Sequence, residues 1–358
     1  MKSDEMLILG LMSGSSLDGI DMALCSFSGL GESLQWKLIH SVHVPFEPKW
    51  KKLLQDLPGS SAYDLSLADY DFGNLLGASS KKYFSDFKPD YIASHGHTIF
   101  HYPALKMTCQ IGNGAVIASA SGINTICDFR SMDIGYGGQG APIVSLFDLD
   151  FFGGLDVLVN LGGIANLTVP DKNQTIAYDI GPCNQLLNYL AGSIGLEYDQ
   201  DGLLAAQGEI DQNLLKTLSG HSYFDRTFPK TLDNGYIFNE FVPILDKSKA
   251  SVQDKLRTVV ELIAKMLSRE ITMHLANHKT KAGVMFTGGG AKNTFLMETF
   301  RKKAVGFEMI ETDDEMIDFK EAIMMAYLGY LRVKGKINVL SKVTGASKDS
   351  IGGSIYLA

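Results

Sequence analysis

The chain has 358 residues, 45% of them apolar and 20% charged, and a formal net charge of −8. That length suits two ordinary globular domains rather than one, and the lack of a basic surplus argues against nucleic acid or an anionic membrane as partner. No apolar run reaches the roughly 18 residues of a membrane span, and the opening MKSDEMLILG reads as a first strand rather than a secretory leader.

The four cysteines (Cys25, Cys109, Cys127, Cys183) are scattered with no CxxC pair, so reduced thiols in a cytoplasmic protein are expected. The 37 glycines fall in clusters, as they do where backbone approaches a ligand or turns sharply.

In chain order, MLILGLM and DMALCSF are apolar strands joined by a glycine-serine turn, and WKLIHSVHVPF is a third, which predicts an antiparallel meander. Helical patterning covers 49–55 and 62–87, with a break expected at Gly73. YIASHGHT reads as a short strand running into a loop, GAVIASASG as a short helix and TICDF as a strand. The glycine-rich joint DFRSMDIGYGGQGAPIV marks the expected domain boundary. Beyond it, LDVLVNLGGIANLTV is strand, turn and strand, and TIAYDIGPCNQLLNYLAG is strand, loop and helix. Helices are expected over 252–277 and 318–333, and between them AGVMFTGGGAKNTFLMETF is strand, triple glycine and helix, followed by the strand FEMIE. LILGLMSGSSLDGIDMAL and VLVNLGGIANLTV share a strand-hairpin-strand layout about 150 residues apart, one domain's length. Two similar domains would explain that echo, and so would ordinary hairpin chemistry.

MSGSSLDGID is richer than a hairpin needs. Gly14, Gly19, Ser13, Ser15 and Ser16 offer backbone and hydroxyl donors to anionic oxygens, and Asp18 can hold a hydrated magnesium ion. A polar hairpin with Asp18 in an Asx turn is the plainer alternative. GxxxxGK[ST] is absent, and GYGGQG, though formally GxGxxG, follows a poor strand and lacks a downstream ribose acid. Gly288, Gly289 and Gly290 exceed what strand–helix packing requires and point to a nucleotide lying against backbone. Gly162 and Gly163 tip a second hairpin. Asp179, at a strand end, fits a general base, a metal ligand or a turn former. His95, His97 and His101 in SHGHTIFH fit contacts to a polar substrate, with zinc as an alternative. Arg130 suits a carboxylate partner or a surface ion pair. His274 and His278 fit a solvated helix face. The methionines of EAIMMAYLGYL read as core, with Glu321 opening that helix near the expected hinge.

The order of these pieces resembles the actin-like ATPase superfamily. GLMSGSSLDGID, SHGHTIFHYP, QIGNGAVIA, DFRSMDIGYGGQGAPIV, NLGGIANLT, DIGPCN and FTGGGAKN together resemble the bacterial 1,6-anhydro-N-acetylmuramic acid kinases over nearly the whole chain. The resemblance implies an α/β chain of two ribonuclease-H-like (actin-like ATPase) domains with an interdomain cleft that closes on ATP and Mg2+. The expected domains are 1–130, with part of 318–358, and 131–317. The implied reaction opens the anhydro ring of an amino sugar with water and phosphorylates the freed 6-hydroxyl. Asp179 matches the catalytic base. Gly10, Met12, Ser13, Gly14, Ser15, Ser16, Leu17 and Asp18 match the phosphate loop, with Asp18 on the metal side and Gly162 and Gly163 opposite. Gly288, Gly289 and Gly290 match the adenosine segment. Thr98 and Arg130 fall in sugar-binding motifs, and His97, Asn184 and Glu321 complete the expected sugar set. Ser15 stands where threonine is common, and Cys183 where glycine is common. A homodimer is compatible with this reading. A plain hexosamine kinase, a zinc amidohydrolase at His95 and His97, and an ATP-driven clamp or sugar sensor are the competing functions.

Overall fold

Strand Met6–Ser13 (β1) is apolar along most of its length because both its faces are covered: Ile8, Leu9 and Leu11 are all buried. It pairs antiparallel with Gly19–Ser28 (β2), which pairs antiparallel with Gln35–Pro45 (β3). Tyr91–Tyr102 (β4) lies parallel to β1, Met107–Ile111 (β5) folds back on β4, and Asn124–Cys127 (β6) runs parallel to β4. A C-terminal strand, Ser354–Tyr356, closes that edge against β6. The computed structural model describes residues 5–14, 17–170, 175–228, 230–232, 234–275, 282–310 and 313–358.

Alternation along β1 sends its two faces to different helices. Leu9 and Leu11 join a core with Phe72 and Leu76 of helix Ala62–Phe84 and Ile117 of helix Gly114–Ser121. The opposite face meets helix Asp314–Val333, where Tyr330 stacks on Phe27 at 5.1 Å. The break expected at Gly73 does not occur. The helix runs on through it because Gly73 and Gly77, one turn apart, let helix Gly114–Ser121 approach; a Cβ on Gly73 would lie 3.1 Å from Asn113 O.

YIASHGHT also departs from expectation, since the strand continues to Tyr102. Pairing with β5 (Thr98 opposite Gln110) satisfies the backbone there, so His95, His97 and Thr98 sit on a strand and not a loop.

The chain divides into two compact units, residues 1–151 with 319–358 and residues 152–318. The change therefore comes at 151/152, later than the 130/131 joint suggested by glycine content. Residues 131–151 are tied into the first unit by side chains that composition does not reveal: Thr344 donates to Asp133 (2.6 Å), Tyr327 donates to Asp150 (2.6 Å), and Lys320 pairs with Asp148 (2.8 Å).

In the second unit, Val157–Leu161 (β7), Ile164–Val169 (β8) and Ile176–Pro182 (β9) form an antiparallel meander, and Ala282–Thr287 (β10) and Phe307–Ile310 (β11) extend it in parallel. The order β11-β10-β7-β8-β9 repeats β6-β4-β1-β2-β3 of the first unit. Both are ribonuclease-H-like α/β sheets, and the hairpin echo in the sequence is this shared topology. Val157, Val159, Leu161, Leu167, Tyr178 and Ile180 point to one face and pack with Val259, Ile263 and Leu267 of helix Val252–Leu275. Among the described residues no helix is long and apolar enough to cross a membrane.

Candidate active site

In the first unit the site begins where β1 ends. A register shift between Leu11 and Ser13 brings Ser13 opposite His97 on β4, and Ser13 Oγ lies 3.0 Å from His97 Nδ1, both buried. Leu17 takes a left-handed φ of 57° while its side chain packs on the core, and Asp18, exposed, accepts at its carbonyl from Phe46 N (2.9 Å). Met12 is partly buried beside it. Ser15 and Ser16 lie outside the described residues. Gly10 has a packing reason for its missing side chain: a Cβ would overlap the Ala322 carbonyl of helix Asp314–Val333.

His95, Arg130 and Glu321 form the second feature of this unit. Arg130 Nε donates to His95 Nε2 (3.0 Å) and Nη1 to Gly140 O (2.6 Å), while His95 Nδ1 faces Gly96 O at 3.0 Å. His95 Nε2 must therefore accept and Nδ1 must carry the proton. Burial, then the Arg130 charge, pushes His95 down to about 3, and burial pushes His97 down to about 4, so both are neutral. A histidine whose two ring nitrogens are already engaged is a poor zinc ligand, and among the described residues no cluster suits a metal held by three protein side chains. Arg130 Nη2 has no partner among the described residues, which leaves one edge of the guanidinium for an anion. Desolvation brings Arg130 down to about 10, and Glu321 opposes that fall. The Glu321 carboxyl keeps solvent access but is held above its ordinary value, first by surrounding protein and then by Asp21, against Lys320 and Arg130. Thr98 Oγ1 accepts from Gln110 (3.2 Å), so its own proton is free to donate.

In the second unit, direct pairings align Asn160 with Asn166 and Thr287, and Asn166 with Asp179. Directly opposed residues share a face, so Thr287, Asn160, Asn166 and Asp179 form a polar row on the sheet face opposite the helix Val252–Leu275. Asn160, Asn166 and Thr287 escaped the sequence reading. The available signal was the symmetric placing of Asn160 and Asn166 about Gly163. Asp179 Oδ2 accepts from Leu232 N (2.8 Å), its own N–H donates to Lys230 O (3.1 Å), and its carbonyl accepts from Tyr223 OH (2.7 Å). Among the described residues Oδ1 accepts nothing. Burial raises the carboxyl to about 6, against the lowering effect of the Leu232 amide. A general base works best with a pKa near the working pH.

The glycine clusters divide by cause. A Cβ on Gly290 would sit 2.7 Å from Leu161 Cβ, and one on Gly288, at φ 81°, would crowd Leu161, so both let the turn pack on the β7–β8 hairpin. Gly289 and Gly163 meet nothing nearer than 3.9 Å and are the open positions, while a Cβ on Gly162 would come within 3.3 Å of Asn160 Nδ2. The triple glycine leads into a short 3-10 turn, Gly289–Lys292, rather than straight into a helix. Asn184 Nδ2 donates to Leu161 O (2.9 Å), a tie between the hairpin and the start of helix Asn184–Gly192. Cys183, buried, has φ −131° and ψ −111°, and its N–H donates to Gly163 O (2.9 Å). His274 is not on a solvated face: its Nε2 lies 2.8 Å from Tyr178 OH. His278 is outside the described residues.

These motifs occur together in known proteins. The profile described as Anhydro-N-acetylmuramic acid kinase matches residues 6–358. The chain belongs to that family. A relative named anhydro-N-acetylmuramic acid kinase from Shewanella sediminis is 35% identical, with 98% of each chain covered. One of the same name from Aliivibrio fischeri is 32% identical over 98% of this chain and 99% of its own, and one from Hydrogenovibrio crunogenus 33% over 98% of each.

Proposed function

We propose that the protein is an ATP-dependent kinase that opens 1,6-anhydro-N-acetylmuramic acid with water and phosphorylates the 6-hydroxyl, giving N-acetylmuramic acid 6-phosphate. The observation that carries this is Asp179, a buried carboxylate with one oxygen held by the Leu232 amide, the other unengaged, and a proton affinity raised to about 6. Asp179 takes a proton from water as the water oxygen bonds to the anomeric carbon. The bond from that carbon to the bridging oxygen breaks, and this oxygen receives the γ-phosphoryl group while ADP leaves. The product carries the water oxygen at the anomeric carbon and phosphate on O6. Phosphoryl transfer asks mainly for alignment and charge neutralisation.

On this reading the free edge of Arg130 holds the sugar's carboxylate, with Thr98, His97 and Glu321 as further sugar contacts. Ser13, Gly14, Gly163 and Gly289 offer donors or open backbone to the nucleotide. A magnesium ion keeps several waters and takes one or two carboxylates besides phosphate oxygens, and the exposed Asp18 fits that donor set. When bound, the ion offsets charge on the phosphates. The need for ATP and the four unpaired thiols suit the cytoplasm. Mass spectrometry of the product formed from ATP, magnesium and the anhydro sugar in oxygen-18 water tests the proposal. One label per sugar phosphate is expected; no sugar phosphate from the anhydro sugar, with phosphorylation of a plain hexosamine supplied in its place, points to a hexosamine kinase that does not open a ring.

A further inference from the structure

Behind Asp179 lies a buried polar cluster that the reaction does not itself use. Tyr178, next to Asp179 on β9, turns to the opposite face, as strand alternation requires. Its hydroxyl donates to Glu270 Oε2 (2.8 Å) and lies 2.8 Å from His274 Nε2, one turn further along helix Val252–Leu275. A tyrosine has one proton to give, and the carboxylate accepts it, so His274 donates from Nε2. Glu270 Oε1 receives Lys230 Nζ (3.3 Å) and Arg269 Nη2 (2.7 Å). The Lys230 and Glu270 side chains are only 3% and 5% exposed. Burial alone would raise Glu270, but hydrogen bonds from Arg269 and Tyr178 and the Lys230 charge hold it below the usual carboxylate range.

Lys230 is the link to the site. Its carbonyl accepts from Asp179 N, and two residues on, Leu232 N donates to Asp179 Oδ2. Its ammonium is tied to the helix by Glu270 and lies 5.4 Å from the Tyr178 and Tyr223 ring centres. Taking two charges out of water is costly, and the pair persists only in good geometry. Segment 230–232 is therefore pinned at one end by an ion pair that cannot drift without exposing a bare buried charge.

We propose that the Lys230–Glu270 pair is a positioning device for Asp179: it anchors segment 230–232 to helix Val252–Leu275, keeps the Leu232 amide on Oδ2, and thereby leaves Oδ1 as the proton-accepting atom. The inference rests on the reading of Asp179 as the base. Of the charged or titratable groups on the elements packed here, Tyr223 bonds the Asp179 carbonyl and carries Arg226 over its ring, while Lys230, Arg269, Glu270 and His274 belong to the cluster behind it, around Tyr178 on the other sheet face.

The test is Lys230→Met in the full-length protein, with Asp179 followed by 13C NMR of labelled aspartate carboxyl carbons and assigned through Asp179→Asn. Loss of an amide bond to the charged form should move the Asp179 titration upward by about one pH unit. The acid limb of kcat should move with it, while KM for ATP stays within about twofold. Lys230→Met combined with Glu270→Gln removes both buried charges, so its fold recovers while the titration stays displaced. A titration that coincides with the parent's in either variant, whatever the melting temperature does, overturns the proposal. If Asp179→Asn keeps full turnover, the catalytic reading falls and the NMR shift still decides the positioning. If that variant is dead and the titration does not move, only the positioning falls.

Discussion

Replacing Asp179 by asparagine should stabilise the protein while leaving only residual turnover. The folded carboxyl titrates at about 6 against an ordinary 3.8, a difference of about 2 units. At about 1.4 kcal/mol per unit, keeping the charged form folded costs about 3 kcal/mol at most. Solvent reaches part of the group, and screening cuts this by roughly half, to about 1.5 kcal/mol. The Leu232 hydrogen bond is already inside that difference, because it is among the causes of the shift. The sign follows from linkage: the native state binds the proton more tightly, so the parent is at no disadvantage below 3.8, loses stability as pH rises towards 6, and stays at the lower level above it. Asparagine imitates the protonated form and escapes the loss. Thermal unfolding of both proteins from pH 4.5 to 8 should show a gap that widens with pH to about 3–6 °C. Turnover should fall by roughly 10^2–10^4. A pH-independent gap, or no gap at pH 8 in a variant that still binds ATP, would refute the claim that burial tunes this carboxylate.

Arg130→Lys keeps the charge but cannot serve His95, Gly140 and an anion from one planar fork, so KM for the sugar should rise by about tenfold or more with KM for ATP little changed. An unchanged sugar KM removes Arg130 from the substrate site. Gly290→Ala should destabilise the second unit through its clash with Leu161, whereas Gly289→Ala should melt like the parent and bind ATP more weakly; equal melting temperatures for the two would contradict that division. Because His95 and His97 titrate at about 3 and about 4, neither contributes to the pH–rate profile between 5 and 8, and its acid limb should follow Asp179 near 6. An acid limb that survives in the residual activity of Asp179→Asn assigns it to another group.

Much of this protein is written locally. Strand alternation, the glycine hairpins and the TGGG turn mark both meanders, because side-chain period and turn chemistry are short-range properties. Asp179 stood out in DIGPCN, although it lies in the middle of strand Ile176–Pro182 and not at a strand end, and the family showed in the order of seven motifs. Only tertiary structure decided the rest. Gly10, Gly288 and Gly290 look like ligand glycines in one dimension, but packing against Ala322 and Leu161 accounts for them. The polar row from Thr287 to Asp179 depends on register between strands far apart in sequence. The domain change moved to 151/152 because Thr344, Lys320 and Tyr327, nearly two hundred residues downstream, hold segment 131–151. Chain pattern fixes which groups are present, whereas their proton affinities and partners depend on what long-range folding buries beside them.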